Sequence, residues 1–147
     1  AENAFERWRQ MGADCGPLRH DFTSLKTGDH PEKRCAMAKA LLESMALLPR
    51  WERDAAGNVR VTVKCISAAG ASVANAQVRL RIAPGSMKQY PLTWNGSAYE
   101  AVLPPETFAR VYDPDTCDYV PLTGAARLIL QAETDAWQGG ALLTVHL

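Results

Sequence analysis

Residues 15–35, CGPLRHDFTSLKTGDHPEKRC, open and close on a cysteine and hold two of the chain's three histidines. Four residues separate Cys15 from His20, nine separate His20 from His30, and four separate His30 from Cys35. Thiolate and imidazole ligands at such short spacings could close a tetrahedral zinc site. However, each end pairs one cysteine with one histidine, which is not a common finger pattern, and zinc here leaves Cys65 and Cys117 unexplained. A disulfide framework uses all four cysteines, an even and scattered set without a CxxC, as in exported proteins. The spacing favours Cys15–Cys35 and Cys65–Cys117, each stapling one half of the chain. Closing loops of roughly 20 and 50 residues in this way would stabilise a fold by about 3 and about 4 kcal/mol.

Other constellations carry weaker chemistry. In YDPDTCDY, residues 112–119, Asp113, Asp115 and Asp118 offer oxygen ligands at spacings that calcium accepts, without the glycine and terminal glutamate of an EF-hand loop. Asp-Pro and Asp-Thr are also ordinary turn chemistry. TSLK at 23–26 and SMK at 86–88 set a hydroxyl near a lysine with no supporting motif. The chain has no G-x-S-x-G, H-E-x-x-H or phosphate loop, so neither an enzyme nor a cofactor site is expected. Tyr90, Trp94 and Tyr99 share one hairpin and form either part of the core or an aromatic platform for sugar rings. NGS at 95–97 reads as a sequon and, better, as the hairpin turn.

These residues must be held by the elements around them. Sixteen basic and sixteen acidic side chains cancel over 147 residues, which excludes bulk attraction to nucleic acid or to an anionic membrane. No stretch is long and apolar enough to span a bilayer. Before residue 55, apolar residues recur at helical spacing; after it they alternate. Ala4, Phe5, Trp8 and Met11 share one helical face. A second helix is expected from the capping box of Asp29 and Glu32 to Pro49, with Cys35, Ala38, Leu42 and Met45 in a stripe widened by Leu41 and Leu48. That surface is too apolar to leave in water, so the helical segment is expected to pack on the rest.

Beyond the turn DAAGN, residues 54–58, Val59, Val61, Val63 and Cys65 face one way, as do Ala76, Val78, Leu80 and Ile82. Asn95-Gly96 predicts a type I′ hairpin turn, with Leu92 opposite Tyr99 and Tyr90 opposite Ala101. ARLILQAE and ALLTVHL add two strands, for about seven in all, the pattern of a β-sandwich. Arg60, Lys64, Arg79 and Arg81 would all project from one outer face if their strands share a sheet, giving a positive field that steers an acidic partner.

AAGASVANAQVRLRI followed by YPLTWNGSAYEAVLP resembles the bacterial immunoglobulin-like modules of exported and cell-envelope proteins, over about 40 residues. The antibody signature is missing: Trp94 lies too far from Cys65, and Asp115 stands two residues before Cys117 where a tyrosine belongs. The resemblance implies a sandwich and export, and AENAF suits the start left by a signal peptidase. The resulting expectation is an α+β protein, helical over 1–54 and a mainly antiparallel, immunoglobulin-like β-sandwich over 55–147. Its expected role is a non-enzymatic, periplasmic or secreted protein that binds a protein or envelope polymer, such as an assembly component, an inhibitor or an immunity protein. A carbohydrate-binding module is the alternative, and a small hydrolytic enzyme a more distant one.

Overall fold

The computed structural model describes residues 2–13, 31–83 and 86–147. Its helices are α1 (Glu2–Gln10) and α2 (Pro31–Leu42). The strands are β1 (Met45–Arg53), β2 (Val59–Ser67), β3 (Gln77–Ala83), β4 (Tyr90–Trp94), β5 (Tyr99–Leu103), β6 (Arg110–Asp113), β7 (Asp118–Pro121), β8 (Ala125–Glu133) and β9 (Gln138–His146). A 3₁₀ turn, Pro105–Phe108, follows β5.

Seven strands form one hydrogen-bonded sheet in the order β1-β2-β5-β4-β3-β8-β9, while β6 and β7 pair as a separate hairpin. All the ladder pairs are antiparallel. The two edges of the sheet come together. Ser44 and Gln138 form a parallel bridge, and the Gln138 N–H donates to the Glu43 carbonyl oxygen at 2.9 Å. At the far end, Arg53 Nη2 donates to the His146 carbonyl oxygen at 2.6 Å. The result is a single, nearly closed barrel with a short N-terminal helix. This corrects the expected immunoglobulin-like sandwich of two sheets. The joint is β4, which pairs with β3 over Tyr90–Leu92 and with β5 at Thr93 and Trp94. One strand thus carries the ladder across what would have been the gap between two sheets.

Inside the barrel the alternation holds as read. Val59, Val61, Val63 and Cys65 are buried, as are Val78, Leu80 and Ile82, with Leu128, Leu130 and Val145 from the last two strands. They form one contiguous core. A second, smaller core docks α1: Phe5 and Trp8 pack on Ala46 and Ile66, the two rings meeting edge to face at 6.3 Å. The Trp8 indole N–H donates to the Ser67 carbonyl oxygen at 3.0 Å, so its one polar atom is satisfied in the contact. Met11, read as part of this face, is 41% exposed.

The second helix is shorter than its stripe suggests. It ends at Leu42, and Met45–Arg53 is a strand. Pro49 therefore does not stop a helix; it sits in the edge strand β1 opposite Val63, where a missing N–H is tolerated. Leu42 is 66% exposed and Cys35 is exposed, whereas Met45 is buried as a strand residue. Helical and alternating periods coincide over short apolar runs, and burial against β2 decided between them.

The predicted disulfides are absent. Cys35, Cys65 and Cys117 are free thiols, Cys65 in the barrel core and Cys117 at the exposed β6–β7 turn. The barrel points Cys65 inward while the separate hairpin carries Cys117 outward. Cys15, His20 and His30 lie outside the described residues. With the staples goes the cysteine argument for export.

The β4–β5 turn also differs. Its register is Trp94↔Tyr99 and Thr93↔Glu100, two residues along from the predicted pairing. Gly96 has a positive φ of 98° but Asn95 does not, so the turn is not type I′. Asn95 Oδ1 instead accepts the N–H groups of Ser97 and Ala98, each at 3.0 Å, in a four-residue loop. A shift of two leaves every side chain on its original face, so the core was unaffected.

Candidate functional site

Three strands present a regular outer surface. Register places Gln77, Glu133 and Gln138 in one row across β3, β8 and β9; Arg79, Gln131 and Gly140 in the next; and Arg81, Ile129 and Leu142 in a third. These positions point outward because their neighbours in each strand, such as Val78, Leu80, Leu130 and Ala132, fill the core. Gln77, Glu133 and Gln138 of the first row and Arg79 and Gln131 of the second line a shallow pocket of about 210 Å³.

Arg79 organises this pocket. Its Nη2 donates to Gln77 Oε1 at 2.7 Å and to Glu133 Oε1 at 3.1 Å, and Nη1 reaches Gln89 Oε1 at 3.4 Å. Glu133 thereby offsets the guanidinium charge, and the planar fork is fixed in orientation. The side-chain amides of Gln131 and Gln138 make no hydrogen bond to the described residues, leaving two donor groups and two acceptor oxygens facing the pocket. Fixed and unfixed polar groups converge on a space about the size of one small ring. Two larger grooves, of about 710 and 600 Å³, both reach Gly12, beside the break in the described chain.

The residues singled out from the sequence are placed differently. Arg60 and Lys64 lie on β2, Arg79 and Arg81 on β3, and β5 and β4 separate the two strands. Arg60 is paired with Glu52 and Glu100, at 3.5 and 3.8 Å. The four cations thus share one sheet but stand on strands with two others between them, and Arg60 and Arg79 each have carboxylate partners. Tyr90, Trp94 and Tyr99 do not make a platform. Trp94 is 36% exposed and Tyr99 2%; their rings lie 5.0 Å apart, tilted by 56°. Tyr90 is half-buried beneath Lys88, whose Nζ sits 5.0 Å from the ring centroid.

At the β6–β7 turn, Asp113 Oδ1 accepts the Asp115 N–H and Asp118 Oδ1 accepts the Tyr119 N–H, at 3.0 and 2.7 Å. These carboxylates serve the turn. Among the described residues no group of three or more His, Cys, Asp or Glu side chains is placed to hold a metal, and no helix is long and apolar enough to cross a membrane. Burial pushes the Cys65 thiol up to about 12, far from a reactive thiolate at neutral pH.

The polar pocket escaped sequence reading except for Arg79. Its signal was present in the outward positions of three alternating strands, Gln77, Gln131, Glu133 and Gln138. Only the strand order brings them side by side.

No protein-family model matches the chain, and no curated protein matches it. Among solved structures, it is similar to DesR, a β-glucosidase from Streptomyces venezuelae in complex with D-glucose, at 19% identity and a TM-score of 0.25. The likeness covers 69% of this chain and 15% of that one.

The reading as a protein- or envelope-binding module, inhibitor or immunity protein was attached to an immunoglobulin-like sandwich with a cationic face. The nearly closed barrel replaces that sandwich, so that reading is overturned.

Proposed function

We propose that the chain is a carbohydrate-binding module whose site is the pocket around Arg79 on the outer face of β3, β8 and β9. The observation that carries this reading is the composition of the pocket: amides, one carboxylate and one guanidinium, with the two charges offsetting each other. Hydroxyl groups both donate and accept, and amide side chains answer them on both counts. A phosphate or nucleotide ligand would call for unpaired positive charge, and a lipid for an apolar lining; the pocket has neither. A periplasmic or secreted setting, where polysaccharides are met, fits such a ligand.

Binding without cleavage also fits. Glycoside hydrolysis ordinarily needs two carboxyl groups flanking the bond, and among the described residues Glu133 is the one acid lining the pocket. Calorimetric titration with a panel of soluble polysaccharides tests the reading. Wild type should bind at least one of them, and Arg79→Ala with Gln131→Ala should weaken that binding at least tenfold with the thermal transition retained. Failure of the wild type to bind any glycan, or undiminished binding by the double variant, overturns it.

A further inference from the structure

Gly139 and Gly140 are adjacent in β9 but have different reasons to be glycine. A Cβ on Gly139 would run into the Met45 carbonyl oxygen and the Leu47 side chain, so the closure of the barrel requires glycine there. Gly140 faces outward and has no positive φ. A Cβ on it would meet the Leu130 carbonyl oxygen at 3.4 Å, an ordinary contact. Glycine weakens a strand by leaving nothing to pack and more chain entropy to lose, so at position 140 it is a cost that the backbone does not require.

Gly140 lines, with Gln138 and Leu142, the groove of about 600 Å³ that adjoins the Arg79 pocket at Gln138 and Gly139, and its missing side chain leaves a gap there. On one side stands the polar row of Gln77, Glu133 and Gln138; on the other, Ile129 and Leu142, directly opposite one another across β8 and β9. Leu142 is 71% exposed. Gln131 lies beside the gap, with Arg79 beyond it in the same row. The gap thus has amides along one wall and aliphatic carbon along the other. A sugar ring has the same two characters, hydroxyls at its edge and C–H groups on its faces.

We infer that the ligand of this site is a neutral glycan chain laid across β3, β8 and β9, with one sugar seated over Gly140 between Gln138 and Leu142. This rests on the carbohydrate reading above and adds the path and the charge class. Neutrality follows from the Arg79–Glu133 pair: the guanidinium is already matched, and a uronic acid carboxylate brought to the pocket would face Glu133.

The experiment measures affinity for xylan, mannan and mixed-linkage β-glucan as neutral polymers, and for polygalacturonate as the acidic one. Wild type should bind a neutral polymer at least tenfold more tightly than polygalacturonate. Gly140→Thr should keep or raise the thermal transition and lose neutral binding at least tenfold, and the smaller Gly140→Ala should lose less. Glu133→Gln, which frees Arg79, should raise polygalacturonate affinity. Neutral binding that survives in both Gly140 variants but fails in Arg79→Ala overturns the path while leaving the carbohydrate reading intact. Equal binding of polygalacturonate by the wild type overturns the charge class. Absence of binding to every polymer overturns the carbohydrate reading, and this inference with it.

Discussion

The Tyr99 hydroxyl donates a 2.8 Å hydrogen bond to the carbonyl oxygen of Val73, 26 residues earlier in the chain. The Tyr99 hydroxyl oxygen in turn accepts the Ala76 N–H at 2.9 Å, so one buried side chain ties down the stretch from Val73 to Ala76 that leads into β3. Tyr99→Phe keeps the ring and strands both backbone groups. It should cost about 1–3 kcal/mol, read as a lower urea midpoint with an unchanged slope.

At the seam, Gly139 leaves no room for a side chain. Gly139→Ala forces a methyl group against the Met45 carbonyl oxygen, and neither strand can move without breaking the Ser44–Gln138 bridge. Overpacking of this kind costs about 1–3 kcal/mol. The expected result is a lower thermal midpoint and faster amide exchange at the start of β9. Gly140→Ala should show neither.

Docking of α1 depends on few side chains. Trp8 is 2% exposed and packs with Phe5 on Ala46 and Ile66. Trp8→Ala removes that packing and the hydrogen bond to Ser67, for a loss of about 3–5 kcal/mol by equilibrium denaturation. Limited proteolysis of the variant should release α1 while the barrel, whose core does not include Trp8, remains.

Cys65 should make stability fall in alkali. Burial raises its thiol from an ordinary 9.0 to about 12, so the folded state holds a proton that the unfolded chain gives up earlier. The contribution is complete below about pH 9 and is lost as pH rises towards 12. Burial raises Tyr99 in the same direction above its ordinary 10.0. Cys65→Ala should flatten the decline in denaturation midpoint between pH 9 and 10. With iodoacetamide at neutral pH, Cys35 and Cys117 should alkylate in the native protein and Cys65 only on unfolding.

Which side chains enter the core was legible in the order of residues alone. Val59, Val61, Val63 and Cys65, or Val78, Leu80 and Ile82, alternate with polar neighbours, and in a pleated strand alternate residues must take opposite faces. The helical face of Ala4, Phe5 and Trp8 was legible for the corresponding reason at period 3.6. Tertiary structure alone decided how the strands join. A sandwich and a barrel present the same alternation, and the difference lies in β4 pairing with both β3 and β5 and in β1 meeting β9, contacts far apart in sequence. The same order decided the site. It set Gln77 and Arg79 beside Glu133 and Gln131, more than 50 positions away, and it put two strands between Arg60 and Arg79. Cysteine spacing could not reveal pairing, because a disulfide needs two sulfurs brought close in space, and the barrel turns Cys65 inward while Cys117 rides the outer hairpin.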